Sequence, residues 1–171
     1  MAIIGSGEEL MRLAFRNSAE EAEKALGERW LERSTAANWN EPLQYRLSEY
    51  AGSRYIELDD VPVAFEGVSR FAEKVYAEVR KVRYGRASTY GEVAAAVGSP
   101  GAARAVGTVL AVNPIPIVVP CHRIIRQHGK IGNYSGPGGA ETKGRLLQME
   151  CLMVPPVSLT KEEFLAQLKK K

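Results

Sequence analysis

Cys121 and His122 place a nucleophile directly beside a base. A thiol reacts as its thiolate, and a base oriented by a carboxylate lowers the cost of ionising a group whose ordinary pKa is about 8.5. His122 is the candidate base and Glu150 the candidate carboxylate. Adjacent side chains do not easily hydrogen-bond to each other, so we expect His122 to act through a water molecule. Because a cysteine is more often structural than catalytic, the pair alone leaves both interpretations open.

The segments on either side of Cys121 could present it to a ligand. Residues 114–120 read Pro-Ile-Pro-Ile-Val-Val-Pro, and these prolines exclude a helix and a central strand. We expect a buried, rigid, extended connector that ends at the cysteine. Residues 129–139 form a glycine-rich loop without the Gly-Lys-Ser/Thr ending of a phosphate-binding loop. This loop is either a flexible turn or a pocket wall whose amides, with Tyr134 and Ser135, contact a planar base.

Two short helices are predicted upstream of the connector. Residues 89–92, Thr-Tyr-Gly-Glu, have the pattern of a capping box, and Gly98 is expected to end the helix that follows. Ser99 and Pro100 predict the start of a second helix, which must stop before Pro114. The pair forms a predicted helix-turn-helix. Alanine and glycine leave the second helix thin, which suits either burial against the core or close approach to a DNA groove.

The rest of the pattern predicts mostly helices behind a small N-terminal unit. Apolar residues recur at three- and four-residue steps from 65 to 82, after a helix start at 59–62. Further elements are expected as helices at 8–26 and 143–150 and a strand at 54–58, whereas 34–42 has no clear period. The predicted fold class is α+β. A small α/β N-terminal domain, residues 1–60, precedes a mostly helical C-terminal domain, residues 61–171, that contains the helix-turn-helix.

The composition excludes several classes of protein. With 45% hydrophobic and 25% charged residues, the chain is unlike disordered, collagen-like or coiled-coil sequences. A net charge of +3 permits nucleic-acid binding without requiring it. Two cysteines, the lack of a signal-peptide pattern and the lack of an apolar run near the ~20 residues of a membrane span predict a cytoplasmic protein with no membrane contact.

Metal binding is not expected. The two histidines and two cysteines form neither a C-x-x-C nor an H-x-x-x-H pattern, so we predict no metal and no cofactor. His128 is expected at the surface. Cys151 is expected to be a partly buried thiol without a role.

Residues 117–125, Ile-Val-Val-Pro-Cys-His-Arg-Ile-Ile, resemble the signature of the O6-alkylguanine-DNA alkyltransferases, also called methylated-DNA–protein-cysteine methyltransferases. The resemblance extends from about Phe65 to Glu150, and five further motifs occur in the family's order. They are Thr89-Tyr90-Gly91-Glu92, Ala103-Arg104-Ala105-Val106-Gly107, Asn113-Pro114, Gly132-Asn133-Tyr134-Ser135-Gly136 and Lys143-x-x-Leu146-Leu147-x-x-Glu150. The N-terminal unit resembles the family's variable first domain only in size and position, and the zinc-binding residues of some members are absent.

The resemblance implies a catalytic role for five residues. Cys121 corresponds to the alkyl acceptor, His122 to the base that activates it through water, and Glu150 to the carboxylate that orients the histidine. Asn113 corresponds to a hinge between the helix-turn-helix and the active-site loop. Tyr90 corresponds to a residue that crowds the phosphate beside the lesion and donates a proton to the purine ring.

The resemblance also implies DNA contacts and a base pocket. Arg104 corresponds to a finger that fills the gap left by a flipped nucleotide, on a helix that lies in the minor groove. The other implied positions are Thr89, Ala103 and Gly107 for DNA contact, and Tyr134, Ser135, Gly136 and Ile124 for the pocket.

These correspondences imply direct repair of O6-alkylguanine, and of O4-alkylthymine, in double-stranded DNA by a monomer that is consumed in the reaction. A thioether has no turnover route, so each molecule would accept one alkyl group. The alternatives are a non-catalytic protein that binds alkyl lesions, a helix-turn-helix DNA-binding regulator, and a cysteine hydrolase that uses Cys121 and His122.

Overall fold

The computed structural model describes residues 1–151 of the 171-residue chain. It begins with an antiparallel hairpin of β1 (Ala2–Ser6) and β2 (Glu9–Ala14). The predicted helix over 8–26 is therefore wrong in its first half. Ile4 pairs with Arg12 and Gly5 with Leu10, so Met11 is an unpaired bulge residue. A bulge breaks the two-residue alternation of a strand, which explains why the buried side chains follow a helix-like spacing here.

Three helices complete the N-terminal part: α1 (Ala19–Leu26), α2 (Glu28–Leu31) and α3 (Glu41–Ala51). Asn40 caps α3 by accepting a hydrogen bond from the Leu43 amide at 3.0 Å. The helix begins where no period was readable, and it buries Leu43, Leu47 and Tyr50 on one face. The strand predicted at 54–58 is wrong. This stretch lies against α3, where Arg46 binds the Glu57 carbonyl, and it pairs with no strand of the described chain.

The long amphipathic segment forms α4 (Arg70–Arg80), which starts later than predicted. Gly67 has a left-handed φ of 75°, and Ser69 caps the helix by accepting from the Ala72 amide at 3.2 Å. Phe65 and Val68 pack on the core before the helix begins. Because both side chains pack on the core, their spacing continues the apolar pattern of the helix, although their backbone is not helical.

The two predicted short helices are present as α5 (Tyr90–Ala96) and α6 (Ala103–Ala111). The capping box is confirmed, since Thr89 and Glu92 exchange hydrogen bonds of 3.1 and 2.6 Å. The start at Ser99 is wrong: its carbonyl accepts from the Ala102 amide in a turn, and Gly101 has a φ of 92°. The helix therefore begins beyond the glycine.

Short elements join this helix pair to the rest of the fold. Strand β3 (Ser88–Thr89) pairs in parallel with β4 (Ile124–Ile125), which directly follows a 3-10 turn at Cys121–Arg123. A second 3-10 turn (Gln127–Gly129) and α7 (Gly139–Cys151) follow, so the last helix begins earlier than predicted. The α+β class is confirmed. Among the described helices, none is both long and apolar enough to cross a lipid bilayer.

One hydrophobic cluster joins residues on both sides of position 60. Leu10, Leu47 and Tyr50 from the N-terminal part belong to the same buried cluster as Val75 and Ile115. A β-bridge between Leu10 and Val63 also connects the two parts. The division of the chain into domains 1–60 and 61–171 therefore stays a prediction, and buried residues on both sides of this boundary belong to one core.

Candidate active site

The connector before Cys121 is buried, as predicted, but it folds into a turn rather than remaining extended. Ile115, Val118 and Val119 are at most 2% exposed, and the Val119 amide donates to the Ile115 carbonyl at 2.8 Å. Ile117 takes a left-handed φ of 74° at the bend. A branched side chain in that region is strained, so the turn must be held by the packing around it.

Cys121 is buried where two cavities meet. The first, which we call the α6 cleft, has a volume of about 1000 Å³ and lies between α5–α6 and the loop at 126–135. The second, which we call the N-terminal cavity, has a volume of about 440 Å³ and is bounded by β2, α1 and the end of α3. Cys121 lines both. Cys121 therefore lies between the two cavities, and a ligand bound in the α6 cleft would lie beside this residue.

Asn113 ties the end of α6 to the connector. Its Nδ2 donates to the Val119 carbonyl at 2.8 Å, and its Oδ1 accepts from the Ile115 amide at 3.0 Å. Burial raises the pKa of the Cys121 thiol, whereas a hydrogen bond to Asn113 and the charge of Lys143 act in the opposite direction. These two groups partly offset the cost of forming a buried thiolate.

His122 and Glu150 form a completely buried pair, with His122 Nε2 lying 3.0 Å from Glu150 Oε1. Burial lowers the pKa of His122 against the opposing charge of Glu150, so the imidazole is neutral near pH 7. A nitrogen that faces a carboxylate carries the hydrogen. Nε2 is then the donor and Nδ1 the free acceptor. Nδ1 is buried and hydrogen-bonds to no residue in the described range 1–151.

Two further side chains bind the same carboxylate. Arg123 Nε and Nη2 each lie 2.9 Å from a Glu150 oxygen, and Tyr50 Oη donates to Oε1 at 2.7 Å. Burial alone would raise the pKa of Glu150, but His122 and Arg123 together hold it well below its ordinary value. Glu150 is therefore ionised and fixed in orientation.

Lys143 is a fully buried cation beside the cleft. Its Nζ donates to the Ile124 carbonyl at 2.6 Å, to Tyr90 Oη at 3.3 Å and to the Asn133 carbonyl at 3.4 Å. Burial lowers its pKa to about 8. Lys143 thus links the first residue of α5 to the segment that follows Cys121.

The predicted DNA-contact residues divide into two groups. Ala103, Arg104 and Gly107 line the α6 cleft with Tyr90, and a Cβ at Gly107 would lie 3.8 Å from the Tyr90 ring. The Arg104 side chain is exposed and forms no ion pair with the described part of the chain. Thr89 lines neither cavity, since its side chain is engaged in the capping box.

Three of the four predicted pocket residues line at least one of the two cavities, and the fourth lines neither. Tyr134 and Ser135 line both cavities, and Gly136 lines the N-terminal one. The Tyr134 ring covers Gly136, where a Cβ would lie only 2.4 Å from Tyr134 Cε1. Ile124 lines neither cavity, because its side chain is buried in the core and its carbonyl is bound by Lys143. The glycine-rich loop thus forms a wall shared by the two cavities.

The α6 cleft has a basic lining. Arg104, Arg126 and Lys130 line it, and no described Asp or Glu does. His128 is exposed, as predicted, and also lines the cleft. Over residues 1–151, no group of three or more His, Cys, Asp or Glu side chains could hold a metal ion. The prediction for the Cys151 thiol lies outside the side chains that the structure describes.

Sequence reasoning missed three residues of this site. Arg123 directly follows the Cys-His pair and Lys143 begins the last motif, so both carried a positional signal. Tyr50 had none. It lies 72 residues before His122 in a unit without recognisable chemistry, and only the packing of α3 brings it to Glu150.

Comparison with known proteins connects this geometry to a family. Residues 70–152 match the model of the 6-O-methylguanine DNA methyltransferase DNA-binding domain. The methylated-DNA–protein-cysteine methyltransferase of Metallosphaera sedula is 38% identical over 114 residues, which cover 67% of this chain and 69% of that protein. The protein of the same name from Mycolicibacterium paratuberculosis is 41% identical over 115 residues, 67% of each chain.

Solved structures show the same relationship over more of the chain. The O6-methylguanine methyltransferase of Mycobacterium tuberculosis has a TM-score of 0.70 and 32% identity over 88% of this chain and 86% of that one. The OGT of the same organism in complex with DNA has a TM-score of 0.68 and 31% identity over 90% and 87%. The chain therefore belongs to the methylated-DNA–protein-cysteine methyltransferase family.

Proposed function

We propose that this protein repairs alkylated DNA by direct reversal: Cys121 takes the alkyl group from O6 of guanine, or from O4 of thymine, and keeps it. The observation that carries the proposal is the position of Cys121, which lines a basic cleft and directly precedes the buried His122–Glu150 pair. The related proteins from Metallosphaera and Mycolicibacterium are named for methyl transfer from methylated DNA to a protein cysteine.

Double-stranded DNA is the proposed partner, with the α5–α6 helix-turn-helix in the minor groove. The small residues Ala103 and Gly107 let the backbone of α6 approach the groove floor. Guanine O6 faces into the duplex, so the nucleotide must be flipped out before its alkyl carbon can be attacked. Unstacking costs a few kcal/mol. Insertion of the unpaired Arg104 side chain into the gap offsets part of that cost.

The transfer begins with removal of the thiol proton. His122 Nδ1 accepts this proton from Cys121 through a bridging water, which is consistent with a buried Nδ1 that no described residue binds. Glu150, through Nε2, orients the ring and stabilises the charge that forms on it. The thiolate then attacks the alkyl carbon: a carbon–sulfur bond forms, the carbon–O6 bond breaks, and the electron pair remains on the purine.

The leaving purine needs a proton. Tyr90 lines the cleft and is the proposed donor to the ring. Lys143 Nζ, 3.3 Å from the Tyr90 hydroxyl, stabilises negative charge that develops on the tyrosine. Asn113 supports the thiolate and couples α6 to the connector. Tyr134, Ser135 and Gly136 form the wall against which the flipped base lies.

The remaining proposals concern the whole chain. A monomer suffices, because one chain supplies the nucleophile, the His122–Glu150 pair that activates it and the walls of both cavities. The proposed location is the cytoplasm, where reducing conditions keep Cys121 as a free thiol. The unit of residues 61–171 carries the chemistry, and the unit of residues 1–60 packs against it.

Intact mass spectrometry tests the proposal. We expect one equivalent of duplex DNA containing O6-methylguanine to add a single methylene mass to the protein, on the Cys121 peptide, with the guanine restored. Cys121→Ala should remain unmodified. A regulator or lesion-binding protein would leave the DNA unchanged, and a hydrolase would turn over repeatedly. Methylation of Cys151 alone, or repair by Cys121→Ala, would overturn the assignment.

A further inference from the structure

Tyr50, in the N-terminal unit, places a buried hydroxyl against the carboxylate of Glu150 in the active site. It lies near the end of α3, is 2% exposed, and donates to Glu150 Oε1 at 2.7 Å. The same oxygen atom is 3.3 Å from His122 Nε2. Burial raises the pKa of Tyr50 far above its ordinary value. The hydroxyl therefore stays protonated and acts as a donor to the carboxylate.

This contact restricts which nitrogen of His122 can carry the hydrogen. Nε2 faces Glu150 Oε1 at 3.0 Å and Tyr50 Oη at 3.3 Å. The tyrosine has already given its hydrogen to the carboxylate, so both neighbours present lone pairs to Nε2. Nε2 must supply the hydrogen, and Nδ1 is left as the acceptor. The hydroxyl thus reinforces the tautomer that a base acting on Cys121 requires.

We infer that Tyr50 is a positioning residue for alkyl transfer, which holds Glu150 and the tautomer of His122 from outside residues 70–152, the region that matches the family model. The inference rests on the proposed function and extends it, because the N-terminal unit then contributes to the chemistry as well as to the core. Arg123 donates hydrogen bonds to the Glu150 carboxylate from two nitrogen atoms. Loss of the Tyr50 hydroxyl should therefore disturb Glu150 without neutralising it.

The direction of the pH effect follows from the charges around His122. The groups that face it are Glu150 and Lys143 from α7, Tyr50 from α3, and Cys121 and Arg123 from its own segment. Tyr50 and Arg123 both draw charge away from Glu150. Without the hydroxyl, the carboxylate would attract a proton on His122 more strongly. The pKa of His122 should then rise, and the acid limb of the transfer rate should move to higher pH.

The test compares Tyr50→Phe with Tyr76→Phe. Tyr76 is also a buried tyrosine, 1% exposed, but its hydroxyl donates to the Val109 carbonyl at 3.1 Å, away from the carboxylate. Single-turnover transfer from O6-methylguanine duplex DNA is measured from pH 5 to 9, with urea unfolding of each variant. We expect Tyr50→Phe to slow transfer roughly tenfold, which is less than the about 100-fold that a 1 Å displacement costs. The acid limb of its pH–rate profile should move to higher pH by about 0.5 pH units. Tyr76→Phe should lose stability while keeping the wild-type pH profile.

A second readout does not depend on transfer. The chain has two histidines, His122 and His128, so ¹⁵N-histidine NMR can follow the tautomer and titration of each ring. We expect an Nε2–H tautomer for His122 in the wild type and a raised pKa of His122 in Tyr50→Phe. An unaltered His122 titration and rate profile in folded Tyr50→Phe would overturn the inference, as would an equal shift in Tyr76→Phe. Failure of the wild-type chain to transfer a methyl group would instead contradict the proposed function.

Discussion

At the scale of single residues, the site is organised around Glu150 rather than around the nucleophile. The carboxylate receives hydrogen bonds from Tyr50, His122 and Arg123, at 2.7 to 3.0 Å. The sequence predicted the carboxylate and the histidine, because both lie in motifs. It could not predict Tyr50, since a residue that reaches a site only through helix packing leaves no local pattern. Arg123 and Lys143 stood inside recognised motifs, but a motif does not reveal which side chain its members bind.

Replacing Glu150 tests this organisation. In Glu150→Gln, the guanidinium of Arg123 stays buried without a charge partner, which costs about 3–5 kcal/mol of unfolding free energy. Transfer should slow by at least about 100-fold, because Nε2 loses the carboxylate that fixes the tautomer and orientation of the imidazole. Urea unfolding and single-turnover rates measure both effects. The exposed Glu73→Gln on α4 is the control, and it should change neither quantity.

The stability that Glu150 contributes should also depend on pH. The pKa of Glu150 in the folded protein lies below the ordinary 4.5, so its stabilising contribution is fully present above pH 4.5 and is lost as pH falls toward the folded pKa. In a His122→Gln background, which removes the titration of the imidazole that faces Glu150, the difference in unfolding free energy with and without Glu150→Gln should therefore be constant from pH 7 to 5 and decrease below that. A difference that grew in acid would mean that the carboxylate is protonated in the folded state.

At the scale of elements, prediction succeeded where local chemistry fixes the backbone and failed where tertiary contacts do. The capping box at Thr89 and the stop at Gly98 need only neighbouring atoms, and both were predicted. The start of α6 was misplaced because Gly101, rather than Ser99, sets the turn. Strand β2 was misassigned because the bulge at Met11 spaces its buried residues like those of a helix.

The loop at 126–135 is the element that faces α6 across the cleft, and it carries two exposed cations, Arg126 and Lys130. We expect both to contact phosphates of bound DNA. Each lost contact should reduce the slope of log affinity against log salt by about 0.9. Arg126→Ala and Lys130→Ala should therefore weaken binding of any duplex at low salt. Transfer from the free base O6-methylguanine should be unchanged in Lys130→Ala, because the charge of Lys130 contributes to the pKa of neither Tyr90 nor Lys143.

Lys24→Ala provides the matched control for these variants. Lys24 is exposed on α1, where it pairs with Glu20, and it lines neither cavity. Its removal should leave the salt slope as in the wild type. Equal slopes in all the variants would show that the basic side of the cleft does not meet the backbone of DNA.

At the scale of the whole molecule, the boundary near residue 60 separates two kinds of sequence but not two cores. Family motifs lie beyond it, and chemistry is hard to recognise before it. Nevertheless Leu10, Leu47 and Tyr50 share a cluster with Val75 and Ile115. A sequence pattern reveals which faces are apolar, but it does not reveal whether two such faces meet.

We therefore expect the chain to unfold in one transition. Both tryptophans, Trp30 and Trp39, lie in the N-terminal unit, so their fluorescence reports on that unit. Alkylation of the Cys121 peptide by iodoacetamide reports on the exposure of the active site. The two urea midpoints should coincide, because unfolding either unit exposes the apolar cluster of the other. Leu47→Ala, at a site with 0% exposure, should lower both midpoints together and cost about 2–5 kcal/mol. An earlier tryptophan transition, with Cys121 still protected, would show that the second unit folds alone and that Tyr50 is dispensable for its integrity.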